Sequence, residues 1–235
     1  MLGIIISLPA EVPNIEKYFE KNQKISINGF SGYIFEVMQK NVVLLFCGVG
    51  KANAASATMS LINNFSVSSI INIGSAGSIS KKLNPNVFFV PSSLNYIDVD
   101  ASCFGYKVNQ VPHEPESFEL SNRIRQLFLE IIKEYQENFI DGSCGTSDSF
   151  VSKENLNKFN VDKCIAIDME STAIAQVCNK MKIEFACVKF ISDSIYANES
   201  SSKQWSNNVN QDNKLMSEII FNVVNKYVYL FDLEK

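Results

Sequence analysis

The chain has 235 residues, of which 46% are hydrophobic, 20% charged and 11% aromatic, and its formal net charge is −4. This composition is typical of a folded domain with a well-filled core, and it excludes a disordered chain, a collagen-like repeat and a coiled coil. A negative charge with one His and two Arg also offers no basic field for nucleic acid or anionic lipid, and few groups for His-based or Arg-based catalysis.

Apolar patterning predicts strands and helices along the first half of the chain. Continuous apolar runs indicate buried strands, the spacing of Val12, Ile15 and Phe19 indicates a helix, and Asn28-Gly29 is typical of a hairpin turn. The predicted elements are, in chain order, a strand at 2–7, a helix at 11–19, a hairpin at 24–39, a strand at 42–47, a helix at 51–64, and strands at 69–73 and 87–90.

The second half begins with an irregular, turn-rich stretch at 91–116, and such a long stretch in a compact domain is often functional. The elements predicted after it are an amphipathic helix at 118–135, strands at 140–143 and 165–167, a helix at 169–181, a strand at 184–191, a polar loop at 197–202 and a C-terminal helix at 205–231. No linker or repeat interrupts them, so we expect one domain over residues 1–235. Buried strands alternating with helices predict a largely parallel sheet covered on both faces, with an antiparallel portion from the hairpin.

The N-terminus and the six cysteines argue against export and against a metal site. The first apolar run is too short for a signal peptide or a membrane span, so the cytoplasm is the expected compartment. None of the cysteines forms a CxxC pair, and His113 is the only His that accompanies them. We therefore expect buried, reduced thiols, and neither a metal nor a cofactor.

Polar or glycine-rich segments lie near four predicted strand ends, where α/β sheets bind ligands. They contain Glu11, the loop at 74–77, Asp168 with Glu170, and Asp193. Each acid alone has an ordinary structural explanation as a cap or a first-turn charge. Together, Glu11, Glu170 and Asp193 favour acid–base chemistry without a metal.

The order and spacing of these segments resemble bacterial 5′-methylthioadenosine/S-adenosylhomocysteine nucleosidases over essentially the whole chain. The segments that carry the resemblance are Gly48-Val49-Gly50-Lys51, Asn72-Ile73-Gly74-Ser75-Ala76-Gly77, Phe104-Gly105-Tyr106, Asp148-Ser149-Phe150-Val151, Asp168-Met169-Glu170-Ser171-Thr172-Ala173-Ile174-Ala175 and Ile191-Ser192-Asp193. The resemblance implies a single-domain, three-layer α/β/α fold with a central mixed, partly barrel-like sheet, as in nucleoside phosphorylases. It also implies hydrolysis of the N-glycosidic bond of methylthioadenosine and S-adenosylhomocysteine, extending to 5′-deoxyadenosine, with release of adenine and without a cofactor.

The resemblance further implies individual roles. Asp193 matches the acid that protonates adenine N7, so we expect burial to raise its pKa, and Glu11 matches the group that activates water. The other residues expected at the substrate are Phe150, Val151 and Ser192 for the base, Met169 and Glu170 for the ribose, Ser75 and Gly77 near the water and ribose, and Val49 and Trp205 for the 5′ group. Family members are usually homodimers, and Phe104 and Pro112 match the residues that reach the neighbouring pocket.

Two positions depart from the family pattern. Lys189 stands where an Arg commonly helps to order the water, and it keeps the charge but loses the planar fork. Asp168 stands where a longer Glu is usual. Lys189 remains a candidate for positioning the water, and both changes are expected to affect rate or substrate preference.

Three alternative functions stay open from the sequence. A phosphorylase of the same fold would need a phosphate site, yet both Arg residues lie in the predicted 118–135 helix. A non-catalytic nucleoside-binding protein would be expected to lack one of the three acids. A nucleosidase for another adenine-bearing compound, such as a futalosine-type metabolite, differs only in the shape of its 5′ loops.

Overall fold

The computed structural model describes residues 1–211 and 213–232, and their core is a mixed sheet flanked by helices. The strands are β1 Leu2–Ile6, β2 Asn22–Ile27, β3 Phe30–Val37, β4 Lys40–Phe46, β5 Ser69–Ser78, β6 Phe88–Phe89, β7 Ser93–Tyr96, β8 Phe118–Glu119, β9 Ser143–Thr146, β10 Cys164–Asp168 and β11 Glu184–Ser194. The helices are α1 Lys51–Phe65, α2 Asn122–Ile132, α3 Ser171–Met181, α4 Ser201–Gln211 and α5 Asn213–Asp232. Short 3-10 helices lie at Pro9–Glu11, Ile15–Tyr18, Ser102–Phe104 and Leu156–Lys158.

The sheet follows the order β2-β3-β4-β1-β5-β10-β9-β7-β8, and β11 pairs with both β5 and β6. Parallel pairs join β1 to β4 and β5, β5 to β11, and β9 to β7 and β10. The early hairpin β2–β3 supplies the expected antiparallel portion. The α/β class and the mixed sheet are therefore confirmed, although the strands described do not close into a barrel.

Strand β5 is the centre of the architecture because two strands share one of its edges. β1 pairs with its first part, from Ser69 to Asn72, and β10 pairs only with Gly77 and Ser78 at its end. β11 pairs with the other edge along the whole strand. Residues 73–76 of β5 therefore lie at a gap in this edge, between the part that pairs with β1 and the part that pairs with β10. The candidate site lies beside this gap.

The predicted helix at 11–19 is wrong, since the structure has two 3-10 turns there. Pro13 lacks an N–H and disfavours helical geometry at Val12, whose φ and ψ are −139° and 61°. Asn14 then adopts the left-handed region at φ 57°. The apolar spacing that suggested a helix instead places Val12, Ile15 and Phe19 in the core.

Other observed elements are longer, shorter or displaced compared with the predicted ones. The strands predicted at 69–73 and 184–191 continue through residues expected to form loops, and the strand predicted at 140–143 lies at Ser143–Thr146. The predicted 118–135 helix is shorter, because its first residues form β8, and the irregular 91–116 stretch contains β7. The predicted C-terminal helix corresponds to α4 and α5 on either side of residue 212, which lies outside the described residues.

Burial of aliphatic side chains on both faces of the sheet accounts for the core. Strands β1, β4 and β5 contribute continuous runs that are almost fully buried, as expected for strands covered on both sides. Helices α1 and α3 pack against each other, and their buried residues include small ones such as Ala54, Ala57 and Ala173. No helix within 1–211 or 213–232 has the length and apolar character of a bilayer span.

Candidate active site

One cavity lies at the carboxyl ends of β1, β5, β10 and β11, beside the gap in the edge of β5. Most of the residues singled out from the sequence line it: Glu11, Val49, Ser75, Gly77, Phe150, Val151, Met169, Glu170, Ser192, Asp193 and Trp205. Val49 and Phe150 are each 44% exposed, so they form its rim. The three acids are almost fully buried, so the cavity combines an apolar mouth with a carboxylate-rich interior.

The Glu11 carboxylate is held at the free edge of β5. Its Oε1 accepts hydrogen bonds from the backbone N–H and the hydroxyl of Ser75, both at 2.8 Å, and its Oε2 accepts one from the N–H of Leu8 at 3.1 Å. A Cβ at Gly74 would lie 3.2 Å from Oε1, so the small residue there lets the carboxylate lie against the strand. The Ser75 N–H, which would ordinarily donate to a neighbouring strand, instead orients the Glu11 carboxylate.

A β-bulge in β11 directs Asp193 into the same cavity. The pairing with β5 slips between Ile191 and Asp193, so that Ser192 is the extra residue. Successive strand residues normally point to opposite faces, but here Ser192 and Asp193 both line the cavity, and the Ser192 hydroxyl donates to Asp193 Oδ1 at 2.8 Å. Burial raises the pKa of Asp193, against opposing hydrogen bonds from Ser192 and Ser201. The carboxyl therefore holds its proton to a higher pH than an exposed Asp.

Glu170 lines the same cavity at the start of α3. Its Oε1 accepts a hydrogen bond from the N–H of Gly50 at 2.9 Å. Burial, followed by the negative charge of Asp168, raises the pKa of Glu170 to about 7, although Lys189 and the Gly50 N–H oppose the shift. Glu170 therefore changes charge near neutral pH.

The two positions that depart from the family pattern form a buried ion pair. Lys189 Nζ lies 2.7 Å from Asp168 Oδ2 and donates to Asn72 Oδ1 at 2.6 Å. Asp168 also accepts from the hydroxyl of Thr146 at 2.6 Å and from the N–H of Ser171 at 3.0 Å. Burial alone would raise the pKa of Asp168, but Lys189 and these donors outweigh it and hold that pKa below its usual range.

A charged cluster that the sequence did not suggest ties the base loop to the start of α1. The Lys51 ammonium donates to both oxygens of Asp98 at 2.8 Å, and the Lys51 N–H donates to Asp148 Oδ1 at 2.8 Å. The Asp148 N–H in turn donates to Asp98 at 3.0 Å. Because the Gly50 N–H also donates to Glu170, the start of α1 is hydrogen-bonded both to Glu170 and to the loop that carries Phe150.

Three predicted residues lie outside the cavity. Lys189 lies behind it, with its ammonium engaged by Asp168 and Asn72. Phe104 is 81% exposed, and Pro112 and His113 are also exposed, on the irregular stretch. The assignment of Phe104 and Pro112 to a neighbouring pocket thus needs a second copy of the chain.

The charge of the cavity lining limits what it can bind. Across residues 1–211 and 213–232, none of the residues that line it is Lys, Arg or His. Arg123 pairs with Glu184 at 2.7 Å and Arg125 with Asp141 at 2.9 Å, both away from the cavity. In the same described ranges, no three His, Cys, Asp or Glu side chains are grouped as metal ligands would be. The site suits a neutral polar ligand with an aromatic part.

A family model and a curated relative both match most of the chain. The model of the phosphorylase superfamily matches residues 1–225. A 5′-methylthioadenosine/S-adenosylhomocysteine nucleosidase from Buchnera aphidicola subsp. Schizaphis graminum is 35% identical over 197 residues, which are 82% of this chain and 83% of the relative.

Two solved structures have the same fold. The nucleosidase of that name from Neisseria meningitidis, in complex with methylthio-immucillin-A, has a TM-score of 0.87 at 25% identity and covers 96% of this chain and 98% of its own. The futalosine hydrolase of Helicobacter pylori also has a TM-score of 0.87, at 23% identity, covering 96% of this chain and 97% of its own. The chain belongs to the phosphorylase superfamily and, within it, to the 5′-methylthioadenosine/S-adenosylhomocysteine nucleosidase family.

Proposed function

We propose that this protein hydrolyses the N-glycosidic bond of 5′-methylthioadenosine and S-adenosylhomocysteine, and of 5′-deoxyadenosine, and releases adenine. The observation that carries the proposal is that Glu11, Glu170 and Asp193, buried acids on three separate segments, line one cavity whose rim contains Phe150. The family of the chain supports the reaction class, and the cavity supports the residue roles.

The proposed reaction needs one acid, one base and a hydrogen-bond acceptor for the ribose hydroxyls. Asp193 gives its proton to adenine N7, so the base leaves with the electron pair of the C1′–N9 bond. Glu11 takes a proton from the water whose oxygen bonds to C1′, and Glu170 accepts hydrogen bonds from the ribose hydroxyls. The carboxylates also stabilise the positive charge that develops on the sugar.

The remaining contacts in the proposal are apolar or made by the backbone. Phe150 stacks on adenine, Val151 contacts its edge through the backbone, and Met169 packs on the ribose. Ser192 supports the base side through Asp193, and Val49 and Trp205 flank the 5′ group. Ser75 and Gly77 border the space for water, since Ser75 binds Glu11 and a Cβ at Gly77 would lie 3.0 Å from Asp193 Oδ2.

Charge favours water over phosphate as the nucleophile. A phosphate dianion would enter a cavity whose described lining has acids but neither Lys, Arg nor His, and the nearby Lys189 is neutralised by Asp168. An uncompensated anion beside buried carboxylates is strongly disfavoured. Phosphorolysis would therefore require an anion site that this cavity does not supply.

The experiment that tests the proposal is adenine release in phosphate-free buffer from methylthioadenosine, S-adenosylhomocysteine and 5′-deoxyadenosine. We expect turnover of all three. Binding of adenine without turnover of any of these substrates would favour the non-catalytic alternative. Turnover of a futalosine-type nucleoside alone would leave the chemistry intact but reassign the substrate.

The raised pKa of Glu170 predicts a pH-dependent KM. Below pH about 7 the protonated carboxyl loses its charge, so KM is expected to rise by about tenfold as the pH falls, because a charged acceptor binds hydroxyls more strongly than a neutral one. KM is measured from initial rates across this range. Glu170→Gln should have a high KM at every pH. A KM that does not change with pH in the unmodified enzyme would contradict the role of Glu170.

We further propose a homodimer in which Phe104 and Pro112 of one copy reach the cavity of the other. Phe104 is 81% exposed, the highest fraction among the large apolar side chains of the described residues, and Val108 nearby is 46% exposed, which supports the idea. Sedimentation of the purified chain should give twice the mass of one copy. Phe104→Ser should raise KM or shift the mass toward one copy, and a monomer with full activity would contradict the assignment.

The proposed compartment is the cytoplasm. The described cysteines are all free thiols, and Cys47, Cys144, Cys178 and Cys187 are buried. Unpaired buried thiols suit a reducing environment.

A further inference from the structure

One face of α4 contacts both ends of the proposed catalytic machinery. Ser201, Gln204, Trp205 and Asn208 follow the spacing i, i+3, i+4 and i+7, which places them on the same side of the helix. Ser201, in the first turn, is buried and opposes the rise in the pKa of Asp193. Trp205, one turn later, lines the cavity.

Two amide side chains attach this helix to β11. Gln204 accepts from the N–H of Ser194 and donates to its carbonyl, both at 3.1 Å. Asn208 donates to the carbonyl of Ser192 at 2.5 Å. The helix is thus bonded to the backbone on both sides of Asp193, and the position of Trp205 is set by these bonds.

The indole of Trp205 is linked to Glu11 through a single hydroxyl. Its Nε1–H donates to Ser75 Oγ at 3.2 Å, and that hydroxyl donates to Glu11 Oε1 at 2.8 Å. A serine hydroxyl has one proton and two acceptor lone pairs. Because the indole can only donate, it occupies a lone pair of Ser75 and leaves the hydroxyl proton for Glu11.

We propose that Trp205 is a positioning residue whose indole N–H orients the Ser75 hydroxyl toward Glu11, the group that activates water. The inference rests on the proposed function, since it takes Glu11 as the base. It differs from the role of Trp205 as a wall of the 5′ pocket, because it assigns the effect to the N–H and not to the ring. The same helix face also bonds to the residues on both sides of Asp193, so α4 connects the segments that carry the proposed acid and the proposed base.

The two roles of Trp205 predict different kinetics. Loss of the N–H affects the step in which water is activated, so it lowers kcat equally for every 5′ substituent. Loss of packing around the 5′ group changes KM, and changes it differently for 5′-deoxyadenosine and methylthioadenosine. The substitution that separates them is Trp205→Phe, which keeps an aromatic ring and removes the donor.

The test is a double-mutant cycle of Trp205→Phe and Ser75→Ala, with kcat and KM measured on both nucleosides. We expect Trp205→Phe alone to lower kcat about three- to tenfold on each substrate, the effect of one neutral hydrogen bond. In the Ser75→Ala background it should lower kcat no further, because the relay is already broken. Asn207→Ala, on the exposed face of α4, is the matched control and should leave kcat unchanged.

Three outcomes would overturn the inference. They are an unchanged kcat in Trp205→Phe, an equal loss of kcat with and without Ser75, and a change confined to KM for methylthioadenosine. Circular dichroism and thermal unfolding check that the variants fold. If the unmodified enzyme releases no adenine, the proposed function itself fails, and that result is distinct from an active enzyme in which Trp205→Phe has no effect on kcat.

Discussion

Replacing Asp193 with Asn is expected to abolish adenine release, with a loss of about 10³-fold or more, because general acid catalysis by one group typically contributes 10²–10⁴. Asn has the same shape and accepts the Ser192 hydroxyl, but it has no proton of suitable acidity for N7. The other acids among the described lining residues are engaged elsewhere, since Glu11 is held at β5, Glu170 by Gly50 and Asp168 by Lys189. The measurement is single-turnover adenine release by the variant and the unmodified enzyme.

The same variant should still bind adenine, which separates lost chemistry from a lost site. The chain has one Trp, and Trp205 lines the cavity, so its fluorescence reports binding directly. Asp162→Asn, an exposed acid, is the matched control and should behave as the unmodified enzyme. An Asp193→Asn enzyme whose rate stays within tenfold of the original would remove Asp193 from the proposed role.

Replacing Lys189 with Met is expected to lower the free energy of unfolding by about 3–5 kcal/mol, the usual cost of leaving one partner of a buried ion pair unpaired. The side chains of Lys189 and Asp168 are each only 1% exposed, so water cannot replace the lost ammonium. Met has a similar length and cannot donate to Asn72. The measurement is urea unfolding followed by circular dichroism.

A second substitution separates charge from packing at this pair. Adding Asp168→Asn to Lys189→Met removes the unpaired charge, so the double variant should recover part of the lost stability. Lys203→Met, which breaks an exposed pair with Glu199, is the control and should leave stability nearly unchanged. A Lys189→Met enzyme as stable as the original would show that the pair contributes nothing to the fold.

The sequence predicted the segments of the site better than the way the chain brings them together. Apolar runs located β1, β4 and β10 because burial on both faces leaves a plain pattern. Because the apolar runs mark where each strand ends, the polar residues that follow them could be identified as well. What no pattern showed is that β1 and β10 share one edge of β5, and this arrangement frees the Ser75 N–H for Glu11.

The bulge at Ser192 is a second feature that periodicity could not predict. Strict alternation would place Ser192 and Asp193 on opposite faces, and the pairing slip depends on contacts with β5 that are distant in sequence. The extension of β5 through Ser75 and Gly77 was missed because glycine and serine are typical of loops. A Cβ at Gly77 would lie close to Asp193, so the residue type reflects the acid beside it and not a turn.

The partner of Lys189 illustrates a third limit. Its departure from the family pattern was visible, and so was that of Asp168, but sequence alone did not show that the two side chains touch. Their contact indicates that Lys189 holds a buried carboxylate next to Glu170. The cluster of Lys51, Asp98 and Asp148 was missed for the same reason, since its members are far apart in the chain.

Hydrolysis and phosphorolysis are distinguished most directly by the sugar that is released from methylthioadenosine in the presence of saturating inorganic phosphate. The carboxylate-lined cavity, with no Lys, Arg or His among its described lining residues, predicts free 5-methylthioribose at a rate that phosphate does not change. Mass spectrometry distinguishes this product from its 1-phosphate. Formation of 5-methylthioribose 1-phosphate, with turnover that requires phosphate, would contradict hydrolysis by this protein.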